Sequence, residues 1–402
     1  MSKRKRRNMA EPSPVDNLVA EFFQAVNLRK LALSHSLLTL LDEMASTQPQ
    51  ARPWAQYCRG ILAFEETRDW GAAERIFNSM LASRLTFSMH ARVLYALGRT
   101  YLIQGRWQEA IDTYEQLLQK TEPTGQPLEV VKARRQLAVC YCRGYASGDL
   151  DKTLLPLGVD HCRSALALLS QHVSTGELQQ LTWLAGSVWN TLGILYSYLQ
   201  DWQKARSCFE QDLACCEALD DRHGMGLTFN NLGEVYHRQG DEHWAEALAM
   251  YTRALELVRE FGNVYEEIDV LGNVARLHAD MDEYAAARAR YTRAIELIEQ
   301  LRTGVSSEEG RTGFFSTVAA TYAALVDLLI NGGELGQAFD MTERARSRTF
   351  LELLSSHPAS RATPAPEALV EREERLRARI ENLYGSKSPA TEPDSKNLNT
   401  LE

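Results

Sequence analysis

The sequence predicts an all-α solenoid of about seven to eight helical hairpins, on three observations. At 402 residues the chain exceeds an ordinary domain, so it must be several globular units or one elongated array. Its 45% hydrophobic and 24% charged residues are those of a folded chain rather than a disordered one. A block of leucine, small and aromatic residues also recurs in steps mostly near 40 residues, with leading positions at 57, 97, 137, 192, 232, 274 and 325. Self-similarity at such a period marks a repeat architecture.

Taken in order, residues 1–14 read as a basic disordered tail containing the run Lys3 to Arg7. Residues 15–50 read as a divergent helical hairpin that caps the amino end. The array itself, 51–301, opens with a weak copy marked by Trp54, Tyr57, Ala73 and Phe77. A complete copy follows in ARVLYALGRTYLIQGRWQEAIDTYEQLL at 91–118, with Leu97, Gly98, Tyr101, Gly105, Ala110 and Tyr114. Leu137, Ala138 and Tyr141 begin the next, whose second helix resumes near Cys162 and Ala165 after the insertion RGYASGDLDKTLLPLG. Leu192, Gly193, Tyr196, Ala205 and Phe209 set another; Leu232, Gly233, Tyr236, Gly240, Ala247, Tyr251 and Ala254 set the one after. Val274, Ala275, His278, Ala287, Tyr291 and Ala294 repeat that frame, and ARARYTRAIEL closely matches ALAMYTRALEL forty residues earlier. A hinge loop is expected at 302–313 and a terminal unit at 314–357, carrying Leu325, Ala338 and Ala345. A linker at 358–365, a charged helix at 366–385 and a disordered tail at 386–402 complete the chain.

The pattern resembles the tetratricopeptide repeat: a leucine and a small residue, an aromatic, a turn glycine, then an alanine and an aromatic four residues on. Small residues stand where two helices cross, because only a short side chain lets the backbones approach. Each hairpin has an apolar face it cannot bury alone, so the resemblance implies stacking into a right-handed superhelix. It also implies that the first helix of each hairpin lines the inner surface. Counting from the leucine frame puts Arg92, Tyr95, Arg99, Lys132, Arg135 and Arg143 inward, which predicts a basic amino half of the groove. Farther on, Asn190, Asn230, Asn231, Glu234, Arg238, Asn273 and Arg276 form an asparagine and arginine ladder. An asparagine amide can both donate to and accept from a peptide bond, and arginine adds carboxylate recognition. The groove is therefore expected to take a protein or peptide with acidic residues.

Catalytic chemistry is not expected. The sequence has no phosphate-binding Walker loop, no dinucleotide glycine fingerprint, no HExxH and no Gly-x-Ser-x-Gly elbow. Paired carboxylates such as Glu266/Glu267 and Glu308/Glu309 have no orienting partner for acid-base work. His223, His237 and His243 cluster without helical metal-ligand spacing and read as surface or capping residues, whereas His278 reads as core. The seven cysteines, an odd number on expected helices, read as small buried thiols. No cofactor or metal is expected. A net charge of −9 argues against general nucleic-acid binding, although the basic tail keeps it open. The longest apolar runs are too short and polar to span a bilayer and no apolar signal region follows the basic start, so no membrane is expected and the chain reads as cytoplasmic.

AFDMTERARSRTFLELL at 338–354 resembles the last repeat of bacterial proteins that join tetratricopeptide repeats to a CHAT domain, a caspase-like protease related to separase. Ala338, Phe339, Glu343, Arg344, Ala345, Arg346, Arg348, Leu351 and Leu354 carry the match. The resemblance implies a regulatory module whose Arg344, Arg346 and Arg348 form the junction to a CHAT-type protease. No cysteine follows Cys216, so the protease itself would lie downstream or in a partner. The long-period repeats also resemble those of kinesin light chain and of peptide-sensing bacterial regulators, which implies a stand-alone adaptor or signal-peptide receptor. A nucleic-acid sensor is the third reading, favoured by MSKRKRR and the basic half of the groove.

Overall fold

The computed structural model describes residues 13–124, 126–171, 178–301 and 309–356. Among these are sixteen α-helices in eight consecutive hairpins: α1(Pro14–Asn27)/α2(Leu31–Thr47), α3(Ala51–Glu65)/α4(Trp70–Leu81), α5(Phe87–Ile103)/α6(Trp107–Thr121) and α7(Pro127–Ala146)/α8(Leu155–Gln171). Then come α9(Leu178–Tyr198)/α10(Trp202–Ala218), α11(Arg222–Gln239)/α12(Trp244–Phe261), α13(Val264–Asp280)/α14(Tyr284–Leu301) and α15(Glu309–Asn331)/α16(Leu335–Ser356). Residues 13–342 form one compact unit and 343–402 a second, of which the end of α16 is described. The fold is the expected right-handed tetratricopeptide superhelix.

Each hairpin turns through one residue with left-handed backbone. At four turns it is glycine, Gly105, Gly148, Gly240 and Gly333, with φ between 71° and 113°. At the other four it is Arg29, Arg68, Gln200 or Asp282, with φ between 52° and 64°. A Cβ makes that conformation costly, and packing of the two helices on either side holds it. Helix starts are fixed by side-chain caps: Ser13 and Asp16 form a reciprocal capping box, and Asp69, Thr86, Asp201, Asp221 and Asn263 each accept a first-turn N–H.

Within a hairpin the helices cross at a glycine beneath an aromatic ring. A Cβ on Gly98 would lie 2.6 Å from Tyr114, on Gly193 2.7 Å from Phe209, and on Gly233 2.6 Å from Tyr251. Ala275, fully buried, holds the same position in the frame of α13. In the second hairpin the residue against Phe77 is Gly60, so the frame expected at Tyr57 is displaced. Tyr57 sits almost a turn earlier, buried against the Phe77 ring at 6.0 Å. Ala73, Ala110, Ala205, Ala247 and Ala287 are fully buried on the second helices.

Polar ties link each hairpin to the next. Arg59 pairs with Asp42, Arg106 with Glu74 at 2.8 Å, and Trp107 Nε1 donates to Asp149 at 2.8 Å. Arg163 donates to the Tyr196 hydroxyl at 2.7 Å, Thr228 to Asp212 at 2.7 Å, and Arg288 to both oxygens of Glu334 at 2.8 Å. Successive first helices also touch along most of the array, whereas second helices do not touch one another to a comparable degree. That asymmetry curves residues 13–342 with the first helices on the inner face.

Two expectations change in detail. The segment 143–158 is largely helical rather than an inserted loop: α7 extends to Ala146, a 3-10 turn spans Lys152–Leu154, and α8 begins at Leu155. Of the expected hinge, 302–308 lie outside the described residues and 309–313 open α15. The run Lys3 to Arg7, the linker at 358–365, the charged helix at 366–385 and the tail at 386–402 also lie outside them. No described helix is long and apolar enough to cross a membrane.

Candidate functional site

The inner face begins as a cleft of about 1300 Å³ along the turn edge of the first four hairpins. Arg99 and Arg143 line it, with Phe64, Trp70, Trp107, Arg29, Glu65, Glu66 and Asp149 among their neighbours. The sequence predicts a basic amino half of the groove; there, acidic residues stand beside the basic ones. Arg99 lies over the Phe64 ring at 4.7 Å and pairs with Glu65 at 3.1 Å, and Lys132 pairs with Glu129 at 3.0 Å. Carboxylates contributed by the same or the preceding first helix cancel much of the charge. Arg92 is exposed and stacks over Trp54 at 5.3 Å, and Arg143 is exposed on the cleft wall. Neither has a carboxylate partner among the described residues.

Tyr95, Arg99 and Arg135 converge on one point beneath this face. The Tyr95 and Tyr114 rings meet edge to face at 6.0 Å, and Tyr95 accepts a hydrogen bond from Gln136 at 2.8 Å. The Tyr114 hydroxyl is fully buried without a hydrogen-bond partner among the described residues. Burial pushes its pKa well up, against the pull of Arg99 and Arg135. Arg135 points across to the Ser187 carbonyl on α9, with Nε at 3.4 Å, and burial lowers its pKa.

The ladder expected farther along divides in two. Asn190, half-buried, is tied to the next helix: it donates to the buried carboxylate of Asp212 at 2.9 Å, which also accepts from Thr228 at 2.7 Å. Burial raises the Asp212 pKa; the bonds from Thr228 and Asn190 and the charge of Arg135 oppose that shift, while Asp221 adds to it. Asn273 Nδ2 donates to Asn230 Oδ1 at 3.0 Å, bridging α13 to α11, and Arg276 donates to Asn273 Oδ1 at 3.1 Å. One hydrogen of Asn273 Nδ2 and both of Asn230 are thus left over, and the side chain of half-buried Asn231 makes no hydrogen bond among the described residues. Glu234 is tied to Arg238 at 2.9 Å on the same helix. The buried Tyr251 hydroxyl, without a hydrogen-bond partner among the described residues, lies in the field of Glu234, Arg276 and Arg238.

Asp212 was not picked out from the sequence, though a signal existed. It falls on the apolar stripe Ala205, Phe209, Asp212, Cys216 of α10, where a carboxylate needs a partner. His237 corrects the expectation of a surface residue: it is 8% exposed, with Nε2 at 2.7 Å from Asp280 in the next hairpin. His223 instead engages Glu266 at 2.9 Å and His243 lies against the Tyr236 ring, so the three histidines do not converge. Six cysteines are buried and Cys215 is partly so; burial pushes the Cys58, Cys140, Cys142, Cys208 and Cys216 thiols up to about 12. On α16, Arg346 pairs with Glu343 at 3.1 Å, Arg344 is half-buried, and the Arg348 side chain lies outside the described residues.

Tetratricopeptide repeat models match residues 59–124, 184–243 and 241–300. No curated protein matches the chain by sequence. Among solved structures, the apo form of RapI superposes with a TM-score of 0.55 at 12% identity, over 84% of this chain and 98% of that one. A Rap protein complexed with competence and sporulation factor gives 0.53 at 15%, over 84% and 94%. NprR in complex with its cognate peptide NprX gives 0.53 at 15%, over 94% and 100%. These are likenesses of fold.

Proposed function

We propose that this chain is a non-catalytic tetratricopeptide scaffold that binds a protein or peptide along its inner face. The observation that carries the reading is the amide bridge between Asn230 and Asn273, held by Arg276. It fixes two amide groups from neighbouring hairpins in one orientation while leaving donors uncommitted, which suits an extended backbone. The cognate peptide NprX bound to NprR, a structure of the same fold, supports it. The test is selection of random peptides on the full chain, repeated on Asn230→Ala/Asn273→Ala after its melting curve has been matched. Enrichment of a common motif, weakened at least about tenfold in the double variant, is expected from the loss of two hydrogen bonds. Equal retention by both proteins, or no enrichment, overturns the reading. A nucleic-acid ligand would instead show binding that falls steeply with salt.

The second reading, a regulatory part of a tetratricopeptide–CHAT protease system, is favoured by α16. Its matching segment starts at Ala338 and Phe339, and Leu335 and Phe339 are each 65% exposed. Large apolar side chains left in water on a helix that resembles a docking junction are what a partner would cover. Co-purification with a CHAT-type protease that is lost in Leu335→Asp/Phe339→Asp would support this role; retention in that variant would remove it.

A further inference from the structure

We propose that Arg135 is the floor of a recessed subsite between α7 and α9 that takes one carboxylate of the bound ligand. The identity of the ligand as a peptide rests on the function proposed above; the subsite itself does not.

Arg135 stands three residues before the small crossing residue of its helix, Ala138. The same position is held by Tyr57, Tyr95, Asn190 and Asn230 in other first helices. Tyr95, Asn190 and Asn230 are half-buried there, as Arg135 is, and α13 has Gly272; where these repeats place a neutral ring, an amide or no side chain, this one places a cation. Several arginines around the array have a carboxylate of their own: Arg99 has Glu65, Arg106 has Glu74 and Glu109, and Arg238 has Glu234; Arg92 and Arg143 have none among the described residues but are exposed to water. Arg135 has none within ion-pair distance among the described residues. Its Nε reaches the Ser187 carbonyl at 3.4 Å, a long contact, and its two terminal nitrogens make no hydrogen bond there. The acid whose field it shares, Asp212, is committed to Asn190 and Thr228. A half-buried cation without a counter-charge is only partly solvated, so a carboxylate arriving from outside the hairpins meets a charge that is not already balanced within them.

The chemistry of the missing group follows from the guanidinium. Its terminal nitrogens present two parallel N–H bonds that match the two oxygens of a carboxylate. Tyr95, on the neighbouring first helix, accepts from Gln136 and so has its own hydroxyl hydrogen to give. The cation whose field acts on Arg135 is Arg143, which stands exposed. One recessed charge balances one carboxylate, whereas a phosphate dianion would need more.

The test uses the full chain and follows the Arg135 Nε–Hε resonance, identified by its loss in Arg135→Lys, during titration with acetate and with phosphate at constant ionic strength. A saturable acetate shift is expected, with a midpoint at least about tenfold below that of exposed arginines such as Arg346. A linear response shared with those arginines overturns the subsite, and tighter saturation by phosphate overturns the carboxylate assignment. Pooled random heptapeptides with free or amidated carboxyl ends, with and without Asp and Glu, are then compared on the natural chain and Arg135→Gln. Loss of about tenfold for one class shows whether the carboxylate is terminal or a side chain. Acetate saturation without any peptide binding leaves the subsite and refutes the peptide reading. Peptide binding unchanged in Arg135→Gln, with no acetate saturation, does the reverse.

Discussion

At the scale of single residues, the inner face is governed by which polar groups find partners inside the array. Asp212 is the sharpest case. It is 5% exposed, and its carboxylate is held by a hydroxyl and an amide rather than by a direct ion pair. Because burial raises its pKa in the folded protein, its contribution favours folding below the unfolded value near 3.8 and is lost as pH rises through the folded value. At neutral pH the ionised group therefore weakens the fold. Asp212→Asn keeps an oxygen for Thr228 and Asn190 and removes the charge. It is expected to raise unfolding free energy at pH 7 by on the order of 1 kcal/mol, with the gain shrinking as pH falls through the raised folded value and gone below the unfolded value near 3.8. Urea unfolding at both pH values checks this; a variant less stable at pH 7 would mean that the field of Arg135 outweighs burial.

At the scale of helices, the crossing glycines decide how closely a hairpin can close. A Cβ on Gly233 would meet the Tyr251 ring at 2.6 Å, and Tyr251 is fully buried and cannot swing away. Gly272 of α13 has nothing within 4 Å of the same added atom. Gly233→Ala should thus destabilise by about 1–3 kcal/mol through overpacking. Gly272→Ala should stabilise by up to about 1 kcal/mol, the ordinary helix preference of alanine over glycine. Thermal melts of the two single variants test the pair, and a gain at Gly233 would refute the crossing. The same chemistry explains what could be read in advance. Gly98, Gly193 and Gly233 were legible because glycine beside leucine and before an aromatic has few other uses in a helix. Gly60 was missed because Arg59 replaces the leucine, so the frame slid to Tyr57. The turns at Arg29, Arg68, Gln200 and Asp282 gave no signal, since a left-handed residue imposed by packing need not be glycine. The pairing of the residues expected inward was not legible: the bonds that tie Asn190 to Asp212 and Glu234 to Arg238 join residues whose side-chain directions a one-dimensional frame leaves open.

At the scale of the whole unit 13–342, each hairpin packs chiefly on the hairpins before and after it, so stability is close to a sum of hairpin and nearest-neighbour contributions. The α1/α2 hairpin has a neighbour on one side only among the described residues. Its second helix has no side-chain cap at Lys30, buries Ser34, Leu37 and Leu41, and leaves Leu31, Leu33 and Leu40 each 45–47% exposed. The central hairpins are clamped from both sides and cross-tied by Asp212, Thr228, His237 and Asp280. Hydrogen exchange should therefore run inward from this end, with amides of α2 exchanging at least about tenfold faster than those of α9 to α12. Leu41 is fully buried, so Leu41→Ala should cost about 2–5 kcal/mol locally. The loss should appear as faster exchange throughout α1 and α2, with protection in α11 and α12 unchanged, because no contact carries it that far. Mass-resolved exchange on both proteins makes the comparison. If α11 and α12 lost protection in step with α1 and α2, the unit would be melting as one cooperative body, and a ligand bound at one hairpin would then stabilise all of them equally rather than only those it touches.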